Sequence, residues 1–524
     1  MVDDWWMRYT NHSMQYVRTN WLPLLVILVG FGASLALAFA PLNFLLANTV
    51  PDDSFYYFQI ARNIVHGLGS TFDGVNLTNG YHPLWMVLLL PIYQFFSTGA
   101  VLDVAPIHAA LALSAVINAA LGLVLIAIVS RYTSKTWIKA LALACWFFNP
   151  FNAYAMSDGL ETALSLFFIA LFFLVALRYG ERSSYRRLLM VGIFGGLMML
   201  ARLDNVFYFV MFLAWLLYSG GLASIRNILM VGVVASIVVL PWLIFNFLTF
   251  GMFFTSASAA YTIVNHEIII QDNGASLFQQ LKAVVYMTDY SLRQFVLPQT
   301  GAPSVFLTLF GLAIGWLVYA GGGLRRFASR SVPLELFIAS GCVLVFIANA
   351  SIRWSPREWY FIAFDLFLVI GVAWLVEKLR ESDKLRTSVA VIIVCLVASL
   401  YYISWSKVLQ DRYYTSNPLL DATLWMNENI PQGSVVGSFN AGIAGYFSTN
   451  RLINLDGLVN NRAYEAIRDR RVWQYITSEK IEYFFDNGRH VNYRMRGLLG
   501  IPDILEKLEV IHETSNGPTV YKVR

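Results

Sequence analysis

"PDDSFYYFQIARNIVHGLGSTFDGVNLTNGYHPLWMVLLLPIYQFF", residues 51–96, opens on two adjacent acids and ends in an apolar run, Leu84–Phe96. The topology of the whole chain turns on that run. If it crosses a membrane, every later loop changes sides. If it does not, residues 47–105 form one large loop carrying Asp52 and Asp53. A crossing helix needs roughly 20 mostly apolar residues, and this run is shorter.

The surrounding chain is built for a membrane. It has 524 residues, 57% hydrophobic and 13% charged, with mean hydropathy +0.58. A soluble protein of this length needs a more charged surface, so composition points to an all-α polytopic membrane protein. Eleven spans are expected, near 22–46, 106–130, 137–154, 162–179, 188–203, 205–220, 227–248, 303–320, 333–349, 359–376 and 387–405. The first is too long for a signal-peptide core and is expected to be retained. Three cysteines, Cys145, Cys342 and Cys395, lie in apolar runs and match no metal motif; they are expected to be buried thiols.

Charge decides the run at 84–96. With eleven spans and the N-terminus inside, one set of loops collects the basic clusters Arg131/Lys135/Lys139, Arg178/Arg182/Arg186/Arg187, Arg325/Arg326/Arg330 and Lys378/Arg380/Lys384/Arg386. The opposite loops carry only Arg62, Arg202, Lys282, Arg293, Arg353 and Arg357 before the C-terminal tail. That is the positive-inside pattern. A span at 84–96 would invert every later loop, so the run is expected to be an interfacial or re-entrant helix of the first outer loop. Residues 1–406 then form the transmembrane domain. After about 407 the chain turns soluble in character. Residues 407–524 are expected to fold as a small α/β domain on the outer face, with strands in "EYFFDNG" and "TVYKV" and a Gly-rich turn in "FNAGIAGYF".

The outer loops hold the residues that carry chemistry. An Asp ahead of a helix satisfies orphan N–H groups and suits the helix dipole. That accounts for one acid of the pair, most naturally Asp53 before Ser54-Phe55-Tyr56-Tyr57. A second acid suits a general base with a partner that binds a cation or a polar substrate. Asp158 and Glu161, in "SDGLET", read either as a capping box or as site acids. Arg202 and Asp204, in "LARLDN", read as a polar turn or as site residues. In "IRWSPREWYF", Arg353 and Arg357 stand among belt aromatics, where a guanidinium suits a phosphate. Asp365 is an intramembrane acid expected to pair with an arginine or line a cavity. His82, in "TNGYHP", is a candidate acid or base, a substrate contact or an interfacial residue. Tyr56, Tyr81 and Tyr261 are further candidates for substrate contact, Tyr261 lying in what reads as a long outer loop.

In their order, these motifs resemble the GT-C class of membrane glycosyltransferases, including its bacterial arabinofuranosyltransferase-like and mannosyltransferase-like members. The acid pair, "ARN", "GLG" and "TNGYHPLW" match the first outer loop. "DGLETAL" is similar to the family's Gly-Met/Leu-Glu-Thr motif. "LARLDN" is similar to its Arg-Pro-Asp/Glu-Gly turn, with Leu203 and Asn205 in place of Pro and Gly. "GIAGYFSTNRLINLDGLVN", Gly442 to Asn460, is similar to a segment of related C-terminal domains. The resemblance implies a polyprenyl-phosphate-linked sugar donor, a glycan, glycolipid or protein acceptor, and no nucleic acid. It implies an inverting displacement at the outer face of the cell membrane, with Asp52 or Asp53 as base. Asp158, Glu161, Arg202 and Asp204 would line the site, and Arg353 or Arg357 would hold the lipid phosphate. It leaves open whether a divalent cation, Mg or Mn, is used. If one is, Asp53, Asp158 and Glu161 are the carboxylates for it. Two rivals remain: a transporter or flippase of lipid-linked sugars, and a non-catalytic subunit of an envelope-assembly complex. A transporter would place ionisable groups near mid-membrane, often with repeat symmetry.

Overall fold

The computed structural model describes residues 2–273, 276–279, 281–282, 285–286, 332–352, 357–381, 417–488, 490–492, 504–514 and 517–524. The expected spans at 303–320 and 387–405, Arg353 and Cys395 lie outside them. Among the described residues, four helical stretches are long and apolar enough to cross a membrane: Val17–Ala38, Ala105–Val129, Thr162–Glu181 and Leu203–Phe250. The last covers two of the expected spans, Val206–Gly220 (α10) and Ile225–Phe250 (α11), joined by a 3-10 turn at Gly221–Ser224.

The first helix, α1, runs Val2–Ala38 and breaks its helical geometry at Asn20. Pro23 lies three residues on. Its ring and missing N–H disturb the preceding turn, which accounts for the kink. Short helices follow at Leu42–Asn48 (α2) and Asp52–Val65 (α3). The decisive run forms Pro83–Phe96 (α4), 14 residues. At 1.5 Å per residue that is about 21 Å, short of a roughly 30 Å hydrocarbon core. It packs on α3, on Ala105–Val129 (α5) and on Tyr185–Ala201 (α9).

The expected span at 137–154 divides into Thr136–Phe147 (α6) and Pro150–Ala155 (α7). Pro150 sits at the first helical position of α7 and Asn149 caps it by accepting from Phe151 N. Thr162–Glu181 (α8) follows. The segment expected as a long outer loop after α11 is a loop only to Thr255; Ser256–Asn273 is helical (α12) and carries Tyr261. Leu334–Ile352 (α13) and Ile362–Glu381 (α14) complete the described apolar helices.

The C-terminal residues build a five-stranded sheet. Its strands are Val435–Ser438 (β1), Arg451–Asn454 (β2), Tyr483–Asp486 (β3), Leu508–Glu513 (β4) and Thr519–Val523 (β5). The spatial order is β2-β1-β3-β5-β4, with β1 parallel to β2 and β3 and the other pairs antiparallel. Helix Pro418–Asn429 (α15) enters it, capped by Asn417, whose side-chain amide also donates to Leu46 O at 2.7 Å. The Gly-rich turn expected after β1 is instead a helix, Gly442–Phe447 (α16). Small side chains there let α16 lie flat against α3.

Candidate active site

The acid pair divides its labour. Asp53 is not the N-cap of α3: the helix starts at Asp52, and its cap position is Pro51. Asp52 caps a different helix. Its Oδ1 accepts from Ile443 N at 2.7 Å and its Oδ2 from Gly442 N at 3.0 Å, so the carboxylate closes the N-terminus of α16 in the sheet domain. A Cβ on Gly442 would stand 2.0 Å from Asp52 O, which is why this position is glycine. Tyr56, one turn on, ties the same seam. Its hydroxyl donates to Phe439 O and accepts from Ala441 N, each at 3.3 Å. Asp53 is partly buried beside them at the start of α3.

A second junction holds the far end of the first loop. Asn79 Oδ1 accepts from Ser256 N at 3.0 Å and from Asn461 Nδ2 at 3.1 Å, joining the loop to α12 and the sheet domain. Tyr81 is buried, bonded to Ser70 and packed near Trp242. Tyr261 is half-buried on α12.

His82, Glu161, Arg202 and Asp204 are brought together. His82 Nε2 lies 3.5 Å and Arg202 NH1 3.6 Å from Glu161 Oε1; Arg202 Nε donates to Asp204 Oδ1 at 2.9 Å. The hydroxyl of Tyr57 donates to Glu161 and accepts from His82 N at 3.0 Å. Asn349 on α13 donates to Asp204, and Arg202 donates to Trp359 O and lies over the Tyr360 ring. One buried network thus joins the first loop, the α7–α8 and α9–α10 loops, α13 and the approach to α14. The side chains of Arg202 and Glu161 are each only 6% exposed. Removing one partner of a buried ion pair costs about 3–5 kcal/mol, because the other charge is stranded. Arg202→Met is therefore expected to lower the thermal midpoint sharply. Arg202→Met combined with Glu161→Gln should recover part of the loss; a double variant as unstable as the sum of the singles would contradict this pairing.

Of the two readings of Asp158 and Glu161, the capping box is not what forms at α8. Helix α8 begins at Thr162 with Glu161 at its cap, and Asp158 accepts from Leu160 N at 2.8 Å and Thr162 Oγ1 at 2.7 Å. Among the described residues Asp365 pairs with no arginine; its carboxylate accepts from Asn149 and Asn152. Cys145 and Cys342 are buried and neither is in a disulfide among the described residues.

Two of the carboxylates named for a cation, Asp158 and Glu161, have protein partners. A divalent cation takes several oxygens pointing at one spot. Both oxygens of Asp158 serve its own turn, and Glu161 serves His82, Tyr57 and Arg202. Among the described residues no group of three His, Cys, Asp or Glu is placed to hold a metal.

A cavity of about 160 Å³ opens at the segment that leads into the acid pair. Its walls are the segment Leu46–Pro51, then Tyr154, Ala155, Asp158 and Trp359. Arg357, two residues before Trp359, is exposed. Trp359 was legible only as a belt aromatic, and Tyr57 only as part of an aromatic helix; neither carried a signal of its role.

Burial pushes the Asp52 carboxyl up to about 7, against the pull of the Ile443 and Gly442 N–H groups and with help from Asp53. Burial likewise pushes Asp158 up to about 8. Both folded values lie above the ordinary 3.8. Between about pH 4 and pH 7–8 the folded state therefore holds more protons than the unfolded chain, and stability falls as pH rises through that window. The thermal midpoint is expected to be higher at pH 5.5 than at pH 8.5, and Asp52→Asn should flatten the slope. A midpoint that climbs with pH would contradict the assignment.

Comparisons with known proteins agree with this architecture. Residues 408–521 match the model of a domain of unknown function, DUF8728. No curated protein matches the sequence. Among solved structures the chain is similar to the oligosaccharyltransferase AglB from Archaeoglobus fulgidus in complex with an inhibitory peptide and a dolichol-phosphate. That likeness has 14% identity and TM-score 0.57, over 94% of this chain and 73% of that one. It is also similar to ArnT from Cupriavidus metallidurans bound to undecaprenyl phosphate, at 12% identity and TM-score 0.54, over 95% of this chain and 97% of that one. Helices apolar enough to cross a membrane, a first loop clamped by a C-terminal domain and likeness to both structures over nearly the whole chain together show that this protein has the GT-C fold.

Proposed function

We propose that the protein is a membrane glycosyltransferase that moves a sugar from a polyprenyl-phosphate donor to an acceptor hydroxyl at the outer face. The observation that carries this reading is the cavity itself: the acid pair follows directly from its Pro51 wall, and exposed Arg357 is two residues from its Trp359 wall. The acceptor oxygen attacks the anomeric carbon from the side opposite the phosphate. The bond from that carbon to the phosphate oxygen breaks, its electron pair leaves with the phosphate, and the configuration inverts. Asp53, partly buried at the start of α3 and two residues from the cavity's Pro51 wall, takes the acceptor proton, while both oxygens of Asp52 accept backbone N–H groups. A carboxylate in reach of a neutral hydroxyl supplies this general-base step. Arg357 stands where charge grows on the departing phosphate, and a guanidinium suits that anion. Glu161, Arg202 and His82 hold the loops in register. Asp365, the deep acid that a transporter would use, is held by two asparagines from the α6–α7 break, which fits a structural knot better than an ion path.

The test is transfer of radiolabelled sugar by the full chain in nanodiscs. Undecaprenyl phosphates bearing mannose, glucose, galactose or arabinose serve as donors, and membranes from a strain lacking this protein supply the acceptor. The expected result is label in the acceptor fraction with release of undecaprenyl phosphate, and about tenfold weaker donor binding in Arg357→Ala. Donors left intact by the wild-type protein under all these conditions would overturn the reading.

A further inference from the structure

We propose that Lys139 and the break in α1 form a headgroup site for one anionic phospholipid. It lies at the end of the bundle where the basic loops gather, away from the acid pair. Helix α5, about 37 Å long at 1.5 Å per residue, separates the two ends. The site owes nothing to the transferase reading and stands or falls without it.

Lys139 is the first ground. It is the fourth residue of α6 and only 3% exposed. Its ammonium donates to Asn20 Oδ1 at 2.7 Å, a neutral acceptor, and among the described residues no carboxylate meets it. The carboxylates at the same end are engaged elsewhere. Glu181 pairs with Arg131, Glu335 accepts from Tyr132, and Glu377 accepts from Thr133 and Arg380. An ammonium has three donors and no acceptor, so Lys139 keeps donors that no described residue accepts. Burying a cation without an anion is costly, and charged groups within membrane proteins are normally paired. An anion is the partner this group calls for.

The break in α1 is the second ground. Helical geometry fails at Asn20, and Thr136 Oγ1 donates to Thr19 O at 2.9 Å, so the start of α6 is tied to the break. Lys139 therefore sits within about one turn of the α6 N-terminus, where backbone N–H groups and the helix dipole also favour negative charge. Lys135, just ahead of α6, is exposed at the same place.

The third ground distinguishes a lipid from a free anion. Trp21 follows the break and Trp137 is the second residue of α6, and both are exposed. Exposed tryptophans of membrane helices mark the level of the headgroups. From Trp21 the exposed side of α1 continues into the apolar region as Leu25, Leu28 and Val29, on one face at helical spacing. A phosphate at Lys139 with an acyl chain along that stripe follows the order of groups in a phospholipid. Free phosphate would use only the charged half. Basic pockets between membrane helices take anionic headgroups in this way.

The probe is phosphatidylglycerol. The full chain is placed in nanodiscs of phosphatidylcholine, with and without phosphatidylglycerol. Native mass spectrometry counts the phosphatidylglycerol kept after delipidation, and the thermal midpoint is measured in both lipids. Wild type is expected to keep one molecule and to melt higher when that lipid is present. Lys139→Met and Lys139→Gln should weaken retention by at least about fivefold, the effect of one basic residue on an anionic headgroup surface, and abolish the difference in midpoint. Lys139→Arg should keep both. Arg186→Met, which removes an exposed charge from another basic loop, is the control and should also keep both. Inorganic phosphate added to phosphatidylcholine discs should leave the midpoint unchanged; a rise equal to that with phosphatidylglycerol would assign Lys139 to a free anion and overturn the lipid site. Equal retention by wild type and the Lys139 variants, an equal loss in Arg186→Met, or a wild-type midpoint that is the same in both lipids would overturn it as well. Should Lys139→Met fail to insert, Lys139→Gln and the wild-type comparison decide.

Discussion

Asp53→Asn is expected to lower the single-turnover rate of sugar transfer by about 10²–10⁴-fold, the usual range for loss of a general base, with donor affinity within threefold of wild type. The neighbouring substitution should behave differently. Both oxygens of Asp52 accept backbone N–H groups of α16. Asparagine can accept only one of them and turns an amide N–H toward the other. Asp52→Asn should therefore loosen the sheet domain, seen as faster proteolysis, and reduce turnover in proportion to that loosening. An Asp53→Asn protein within fivefold of wild type would remove Asp53 from the chemistry. So would an Asp52→Asn protein that is the more damaged of the two while its sheet domain stays protected.

Gly442→Ala is expected to abolish transfer, by more than about 100-fold, without preventing insertion of the chain. The added methyl would lie 2.0 Å from Asp52 O and 3.0 Å from Asp52 Cγ. The obstacle is backbone, so no side chain can swing aside, and forced overpacking of this kind costs about 1–3 kcal/mol or more. The sheet domain must lift, breaking both Asp52 bonds and the Tyr56 contacts to Phe439 and Ala441. Gly80→Ala should produce the same defect from the other side of the seam, where a Cβ would stand 1.8 Å from Leu458 O. Gly371→Ala is the control: nothing lies within 4 Å of its Cβ position. Limited proteolysis and transfer measured on the three proteins test this. A Gly442→Ala protein that stays docked and active would mean that the seam is not needed for turnover.

Much of this was legible in the chain alone because it depends on sums of local properties. Hydropathy summed over a window marks the apolar helices, and the balance of Lys and Arg across loops removes 84–96 from the list of spans. That run forms a helix of 14 residues, Pro83–Phe96. The acids and Arg202 were legible as charged residues at the ends of apolar segments, where only a partner or a site accounts for them. His82, Glu161, Arg202 and Asp204 accordingly meet in one network. The strands in "EYFFDNG" and "TVYKV" were legible from their β-branched and aromatic content.

What escaped the chain alone is the set of relations between distant segments. Asp52 and Asp53 are equivalent in sequence, and they part company only because α16, some 390 positions away, brings its two backbone N–H groups to Asp52. Backbone donors have no side-chain signature, so no motif announces them, and a glycine kept for lack of space looks like a glycine kept for a turn. Trp359 was one belt aromatic among several until folding set it opposite Leu46–Pro51 across a cavity. Composition and charge mark which segments are apolar and where charged residues gather between them. Which of them touch, and which remain for chemistry, follows from packing, where the partner of a carboxylate is whatever donor the fold places within 3 Å.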